Sequence, residues 1–336
     1  MSPSACSHYG VVSVIDRNNS TAWGLFNGVL AGALWGMVFL APALTTAFSP
    51  LQLAVGRYLL YGAVALVLLL PLWPALREQV DRRAWIALAG LSLLGNLVYF
   101  VFLAMAVHWA GGAAAALIVG MVPVLVAVFD ARRPGVLPLR WLAPALGLCV
   151  AGTVLVAWAA LANPAGHGGA AGNAVVPVGQ RLLGLACALA ALLSWTAYSI
   201  ANVVWMRRYP VISGHGWSLL TGVATGGIAL LLLPLALWLG PQGQAPAQWL
   251  HFAGICALLA IGASVLGNAC WNRATRSLPL SLGGQLIVFE TLFALLYGFV
   301  WQQRWPGLLE GLAVLLLVGG VVLAARAHTR WEQRRG

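Results

Sequence analysis

One acidic residue of this sequence, Glu290, lies in the middle of an apolar run, where a carboxylate is energetically expensive. It follows the start of the run by about ten residues, which places it roughly 15 Å along a helix, near the middle of a bilayer. Insertion scales set the cost of an acid at this depth at about 2.5–3.5 kcal/mol. The residue therefore predicts proton coupling or recognition of a substrate amine. The structural alternative is a protonated Glu that hydrogen-bonds a neighbouring helix.

A second charged residue, Arg57, lies inside another apolar run, about six residues from one end and so roughly 9–10 Å deep. Two interpretations stay open. The guanidinium could pair with Glu290, because their depths differ by only about 5–6 Å. The long side chain could instead extend back to the lipid headgroups, which its shallow start slightly favours. Glu310 and Arg181 lie within about a turn of a helix start, and we expect both at the interface.

Five aromatic residues with polar edges also lie within apolar runs. They are Trp35, Tyr99, Trp195, Tyr198 and Trp271. Such rings could line a cavity and stack on an aromatic or cationic substrate, although each ring alone is more often core packing. Hydrogen-bonding side chains share these runs, and their commoner role is to bridge helices. They are Asn96, Ser194, Asn202, Asn268, Asn272 and Gln285.

The apolar runs contain no recognisable catalytic set. An intramembrane enzyme needs paired Asp residues, a zinc-binding HExxH motif or a Ser–His dyad. Glu290 is the only acid well inside a run, and all six His residues lie in tails, in gaps or at helix ends. The sequence has no Lys, which excludes Schiff-base cofactors and a Walker A ATPase. We therefore expect no enzymatic activity, no cofactor and no metal.

Composition dictates a membrane environment. Hydrophobic residues make up 61% of the 336 residues and charged residues only 7%, with a mean hydropathy of +0.90. Soluble domains have about 45–50% apolar and about 25% charged residues. Ten runs reach the roughly 20 residues that a transmembrane helix needs. They lie near 22–43, 51–72, 84–106, 112–129, 141–160, 181–205, 215–238, 249–271, 280–300 and 306–326. We predict an all-α integral membrane protein with ten transmembrane helices.

The arginines predict the orientation of these helices. All eighteen basic residues are Arg, and fifteen of them fall in the tails and in gaps on one side of the predicted membrane. Arg181 and Arg304 fall on the other side, and Arg57 lies within a span. The positive-inside rule then places both termini in the cytoplasm. Basic residues confined to short gaps do not form a nucleic-acid-binding stripe, so we expect no nucleic-acid partner despite the net charge of +11.

Weak internal similarity divides the ten helices into two sets of five. A shift of 160 places Trp35 on Trp195, and a shift of 168 places Gly152 on Gly320. An odd number of helices in each half makes the halves run in opposite directions, which predicts a 5+5 inverted-topology repeat. The predicted segments are an N-terminal cytoplasmic tail 1–21, a first repeat 22–160, an external linker 161–180, a second repeat 181–326 and a C-terminal cytoplasmic tail 327–336.

Glycines recur every four residues along the first span. Gly24, Gly28, Gly32 and Gly36 therefore share one helix face, and small residues allow close approach of a second helix. We expect this face to pack against a neighbour.

Several short motifs resemble the drug/metabolite transporter superfamily, in its EamA-like ten-helix branch of bacterial amino-acid and metabolite exporters. The resemblance covers about 22–326. The motifs are Gly32-Ala33-Leu34-Trp35-Gly36, Ser49-Pro50 followed by Arg57, Phe102-Leu103-Ala104-Met105-Ala106 leading into Val122-Pro123, Leu193-Ser194-Trp195, and Ala269-Cys270-Trp271-Asn272. The last is similar to a stretch of the branch's aromatic amino-acid exporters. The family often has Glu-Pro in the ninth helix, where this sequence has Glu290-Thr291, whereas the kink-forming Pro123 is kept in the fourth.

This resemblance implies a substrate cavity at the midplane between the repeats, alternating access by rocking, and peripheral fifth and tenth helices. The expected function is a secondary active transporter of the inner membrane that exports an amino acid, a metabolite or an amphipathic drug. Proton coupling, an uncoupled facilitator or channel, and an exchanger all stay open. The expected site residues are Glu290, Trp35, Trp195, Tyr99, Tyr198, Trp271, Asn272 and Arg57. The expected partners are a small molecule and the lipid bilayer, for a monomer or a homodimer.

Overall fold

Every regular element that the structure describes is helical. The structure is a computed structural model, and it describes residues 7–130, 138–162, 176–277 and 280–333. In these ranges seven helices are long and apolar enough to cross a membrane, and three shorter apolar helices accompany them. Large apolar side chains are exposed along the helices, for example Leu231 at 80% and Trp238 at 78%. Such a surface requires lipid, so the chain is a multi-pass membrane protein.

The helices follow the predicted spans closely in place, although several spans are interrupted. The elements are α1 (Ser7–Gly36), α2 (Ala41–Leu44), α3 (Pro50–Leu69), α4 (Trp73–Leu76), α5 (Arg82–Ser92), α6 (Tyr99–Ala110), α7 (Gly112–Val119), α8 (Val122–Asp130), α9 (Leu139–Ala162), α10 (Val178–Arg208), α11 (Gly214–Leu239), α12 (Pro246–Leu258), α13 (Asn268–Ser277), α14 (Leu280–Trp301) and α15 (Leu308–Gln333). A short 3₁₀ turn, Met37–Phe39, continues α1.

Local sequence explains where several helices start. Ser49 precedes α3, and its hydroxyl accepts a hydrogen bond from the Gln52 backbone while the Gln52 side chain accepts one from the Ser49 backbone. This reciprocal cap satisfies two donors that the helix itself leaves unpaired. Asp81 and Ser213 cap α5 and α11, and each side chain accepts one hydrogen bond from a backbone N–H group of its helix. Proline follows the Ser49 cap because the first helical position has no use for an N–H group.

Two ends of the chain differ from the predicted spans. The first helix begins at Ser7, well before the predicted start at 22, and the last continues to Gln333 beyond the predicted end at 326. Both extensions contain charged or polar residues, which hydropathy alone assigns to tails. The helical period thus continues beyond the apolar length that fills the hydrocarbon core.

The fourth and ninth spans differ at the proline position, with Pro123 in the fourth and Thr291 in the ninth, and the two helices differ accordingly. The fourth span is split into α7 and α8 at Gly120 and Met121, directly before Pro123. Proline cannot donate to the preceding turn, so the helix breaks there. In the ninth span Thr291 replaces proline, and α14 runs unbroken through it.

Glycines set the closest helix contacts. A Cβ at Gly32 would lie 2.8 Å from the Phe289 Cβ, and one at Gly36 would lie 2.8 Å from the Phe293 Cβ, so the glycine face of α1 packs on α14 as predicted. In α3 and α11, Gly62 and Gly226 face each other, and a Cβ on Gly226 would lie 2.6 Å from the Gly62 Cα. Such small residues let helix backbones approach closely.

The α9–α15 interface has a reciprocal pattern. A Cβ on Gly152 of α9 would lie 2.6 Å from Leu317 of α15, and one on Gly320 of α15 would lie 2.5 Å from Cys149 of α9. The shift of 168 that relates Gly152 to Gly320 also relates Cys149 to Leu317. Exchanging the two helices by this shift therefore converts the Gly152–Leu317 contact into the Gly320–Cys149 contact.

Two π-helical segments interrupt the long third and eighth spans. Leu93–Val98 lies between α5 and α6, and Leu259–Gly267 lies between α12 and α13. A π-helical turn has one residue more than an α-turn, which leaves backbone groups without their usual helical partners. These segments were not predicted from the sequence, and they occupy equivalent places in the two halves.

Candidate functional site

The five predicted aromatic residues assemble into two groups. Trp35 of α1 and Trp271 of α13 have ring centroids 5.4 Å apart. Trp195 of α10 lies 4.9 Å from Tyr99 of α6 and 4.9 Å from Tyr198 of its own helix. Each group joins the first helix of one predicted repeat to the third span of the other predicted repeat. The aromatic residues are therefore not scattered packing residues but two contact clusters at helix interfaces.

Glu290 lies at the middle of α14, between α1 and the break in the fourth span. On one side, a Cβ at Gly32 would lie 3.0 Å from the Glu290 backbone nitrogen. On the other side, a Cβ at Gly120 would lie 2.5 Å from the hydroxyl of the adjacent Thr291. The Glu290 side chain is partly exposed and lies within electrostatic range of Tyr99 and Arg57. No hydrogen bond joins its carboxylate to a described residue.

Arg57 adopts neither of the two arrangements that its sequence position left open. Its side chain is only 7% exposed, so it does not extend back to the headgroups, and it forms no salt bridge with Glu290. Its Nη2 donates to the Ser264 Oγ at 3.2 Å. The guanidinium carbon lies 4.6 Å from the ring centroid of Phe100 and 5.0 Å from that of Tyr58. Aromatic faces thus replace the water that an arginine normally keeps.

The second π-helical segment connects Arg57 to the first aromatic group. The Trp35 indole Nε1 donates to the Ala263 carbonyl at 3.0 Å, and the next residue, Ser264, accepts from Arg57. In the other half, the Ser194 hydroxyl donates to the Leu94 carbonyl at 2.7 Å. Both carbonyls belong to π-helical segments, so side chains from facing helices satisfy backbone groups that the π turns release.

Comparison with known proteins identifies the family of this chain. The sequence model of the EamA-like transporter family matches residues 22–158 and 182–326. The chain belongs to the EamA-like transporter family. The inner membrane protein YtfF of Escherichia coli (strain K12) is 32% identical over 318 residues, which cover 90% of this chain and 95% of YtfF.

A solved crystal structure has the same fold. It superposes with a TM-score of 0.59 at 22% sequence identity, covering 94% of this EamA-like chain and 99% of the other chain. At this identity the likeness concerns the fold alone. The family assignment supports a role as a membrane transporter. In the part of the chain that the structure describes, no three His, Cys, Asp or Glu residues are grouped in a way that could hold a metal ion.

The polar residues of this EamA-like protein mostly bridge helices. Asn96 donates to Thr225 of α11 at 2.9 Å, and Asn202 accepts from the Trp217 indole at 2.9 Å. Asn272 lies directly beyond Trp271 in α13 and is partly exposed. The side chain of Gln285 lies outside the described part of the chain. Asn96 and Asn202 therefore have the commoner, structural role.

Arg181 and Glu310 lie near helix starts, as expected, but both are more buried than interfacial residues usually are. Arg181 is 4% exposed, and its Nη1 donates to the Leu161 carbonyl at 2.7 Å. Glu310 is 3% exposed and accepts two hydrogen bonds from Arg304, at 2.6 and 2.7 Å. This bidentate pair fastens the connection between α14 and α15.

A polar contact at the Arg-rich side links the start of α5 to the end of α10. The Tyr209 hydroxyl donates to the Asp81 Oδ1 at 2.7 Å. This bond, with a second from the Ala84 backbone, lowers the pKa of Asp81, and the same carboxylate raises the pKa of Tyr209. Tyr209 also stacks on Trp217 with a centroid separation of 5.8 Å. The contact therefore holds three spans together at one membrane face.

Three residues of the site were not anticipated. Ser264 is the only hydroxyl residue within the predicted eighth span, so its isolation in an apolar run could have identified it. Tyr58 and Phe100 directly follow Arg57 and Tyr99, and they enclose the guanidinium. No sequence pattern marks these two rings as cation-binding, because their role depends on how α3 and α6 pack.

Proposed function

We propose that this protein is a secondary transporter that moves a small molecule across the inner membrane by alternating access. The family provides the transporter class, and the relative YtfF is named an inner membrane protein. The observation that carries the proposal is the Glu290 carboxylate, which is partly exposed in the middle of α14 with no hydrogen bond to a described residue. A charge kept in the middle of a membrane without a fixed partner is available to a proton or to a substrate amine.

The proposed architecture has ten crossings in two inverted repeats of five helices, with both termini in the cytoplasm. The arginine distribution of fifteen to two supports this orientation. The reciprocal contacts of Gly152 and Gly320 support a two-fold relation between the halves, because such contacts follow from an axis between the two helices. The two π-helical segments in equivalent spans support it as well.

The proposed transport site lies between the repeats, where Glu290 and the two aromatic groups converge. Aromatic rings present flat faces to an aromatic or cationic substrate, and Glu290 binds a proton or the substrate amine. The π-helical segments are the proposed joints of the rocking motion, because the side chains of Trp35 and Ser194 each donate a hydrogen bond to one carbonyl of a segment. Exchanging such side-chain bonds costs less than breaking a continuous helix.

The test measures counterflow in liposomes that contain the full-length protein. A thermal-shift screen of amino acids and cationic dyes first identifies ligands, since a bound ligand stabilises the folded state. Preloaded ligand should accelerate uptake of labelled ligand by the wild type. Glu290→Gln should remove the pH dependence of transport, whereas the matched variant Glu78→Gln, at an exposed loop position, should keep it.

Two results would contradict the proposal. Uptake that preloading does not accelerate would indicate an open pore rather than a carrier. An unchanged pH profile in a folded Glu290→Gln variant would exclude Glu290 from coupling and from amine recognition.

A further inference from the structure

Arg57 has hydrogen-bonding capacity that the protein leaves unused. Its Nη2 donates to the Ser264 Oγ, but Nε and Nη1 are buried and have no hydrogen-bond partner among the residues that the structure describes. A buried donor without a partner costs about 1–3 kcal/mol, and a charged one costs more. Replacement of an unused buried cation by an apolar residue would remove this cost. The retained guanidinium therefore indicates a ligand that is absent from this conformation.

The surroundings of Arg57 select the shape of that ligand. Phe100 and Tyr58 cover the faces of the guanidinium, so only its in-plane hydrogens remain for binding. A carboxylate binds a guanidinium in this plane, through two parallel N–H donors. Either pair of donors, Nε with Nη2 or Nη1 with Nη2, still contains one unpartnered donor. The site is therefore suited to a planar, two-oxygen anion.

The charges nearby select the rest of the ligand. The Glu290 backbone lies against Gly32 of α1, and Trp35, on the next turn of α1, donates to Ala263 beside the Ser264 that Arg57 bonds. Glu290 forms no salt bridge with Arg57, so a ligand that contacts both charges displaces no ion pair between them. A molecule with one ammonium and one carboxylate would leave the buried site with zero net charge. A phosphate dianion would leave it with two uncompensated negative charges, which a low-dielectric interior disfavours.

We propose that Arg57 is the anion subsite of the transport site and that it binds the carboxylate of a zwitterionic substrate whose ammonium group contacts Glu290. This inference rests on the proposed transport function and specifies its substrate class. Because Nε and Nη1 are buried in this conformation, the carboxylate reaches them when the Leu259–Gly267 segment separates from α3. Ser264 then gives its place on Nη2 to the second carboxylate oxygen.

The experiment compares matched ligands on the purified full-length protein. The probes are L-phenylalanine, its amide, which lacks the carboxylate, and 3-phenylpropionate, which lacks the ammonium group. The corresponding three compounds based on leucine are also tested. Inorganic phosphate is the last probe. The wild type should bind one zwitterion at least about tenfold more tightly than its amide, as expected for loss of a charge-assisted hydrogen bond. Phosphate should not compete.

Variants assign this preference to Arg57. In Arg57→Gln the zwitterion should bind no better than the amide. Arg57→Lys, which keeps the charge but not the planar fork, should keep part of the preference. Arg181→Gln is the matched control, because Arg181 is a second buried arginine, which donates to the Leu161 carbonyl, and this variant should keep the full preference.

The possible failures are distinguishable. Equal binding of zwitterion and amide by the wild type overturns the anion subsite without requiring any variant to fold. Counterflow of the zwitterion that persists at the wild-type rate in a folded Arg57→Gln variant but is lost in Glu290→Gln also overturns it while leaving the transport function intact. Tight competition by phosphate would make the subsite a phosphate site and overturn the zwitterion. Absence of counterflow for every ligand would instead overturn the proposed function.

Discussion

Two adjacent glycines of α11 should respond in opposite ways to the same substitution. A Cβ on Gly226 would lie 2.6 Å from the Gly62 Cα, a backbone atom that can move only if α3 and α11 separate. A Cβ on Gly227 would meet nothing within 4 Å. Both alanines gain the same helix propensity, about 1 kcal/mol in soluble helices. The stability difference between the two variants therefore equals the packing cost, about 1–3 kcal/mol for an overpacked core position.

The assay is reversible unfolding of the two purified variants in the same mild detergent, with helicity or Trp fluorescence followed against added denaturant. Gly227→Ala should be at least as stable as the wild type, and Gly226→Ala should be less stable than Gly227→Ala by the packing cost. Because propensity cancels in this comparison, equal stability of the two variants would show that α3 and α11 do not meet at Gly62. Counterflow adds a second readout, since a widened α3–α11 contact also shifts Arg57 on α3.

Two contacts outside the hydrocarbon core give the remaining predictions. The Tyr209 bond lowers the pKa of Asp81, so its stabilisation is present above the ordinary Asp value of about 3.9 and is lost as pH falls through the lower folded-state value. In Tyr209→Phe the free energy of unfolding should fall less steeply as the pH is lowered through this range. An unchanged pH dependence of stability would disprove the contact. Arg304→Gln should cost about 3 kcal/mol, because Glu310 would stay buried without its bidentate partner. The double variant Arg304→Gln/Glu310→Gln should recover most of that loss in denaturant titrations, and no recovery would refute the pair.

Sequence reasoning succeeded where the membrane itself imposes the rule. Apolar length placed helices near the predicted spans, the four-residue glycine spacing predicted a packed face on the first helix, and Pro123 predicted a kink in the fourth span. These features follow from hydrocarbon thickness, helix period and a missing N–H group. None of them depends on which helix is the neighbour.

The surroundings of the charged residues depend on that neighbour, and they were not predictable from sequence. Depth along α3 leaves Arg57 a choice between the headgroups and an acid, whereas packing provides a third solution, with Phe100 and Ser264 from other spans. The π-helical segments were missed for the same reason. Their backbone register is stabilised by Trp35 and Ser194, which lie far away in the chain.

The two halves differ in charge at corresponding positions. This difference is relevant to how two similar halves could bind a polar substrate. The shift of 160 places Arg57 on Trp217, and the shift of 168 places Val122 on Glu290. Each of these two charged residues therefore has an uncharged counterpart. In the proposed repeat, the helices and π-helical segments recur in both halves because rocking needs equivalent inward and outward states. A substrate with two different ends has no such symmetry, so the residues that contact those ends need occur only once.

Arg57 on α3 and Glu290 on α14 belong to opposite halves, and a ligand that contacts both would join them. Its binding energy would then depend on how the two halves are placed relative to each other, which is the condition for a ligand to shift a conformational equilibrium.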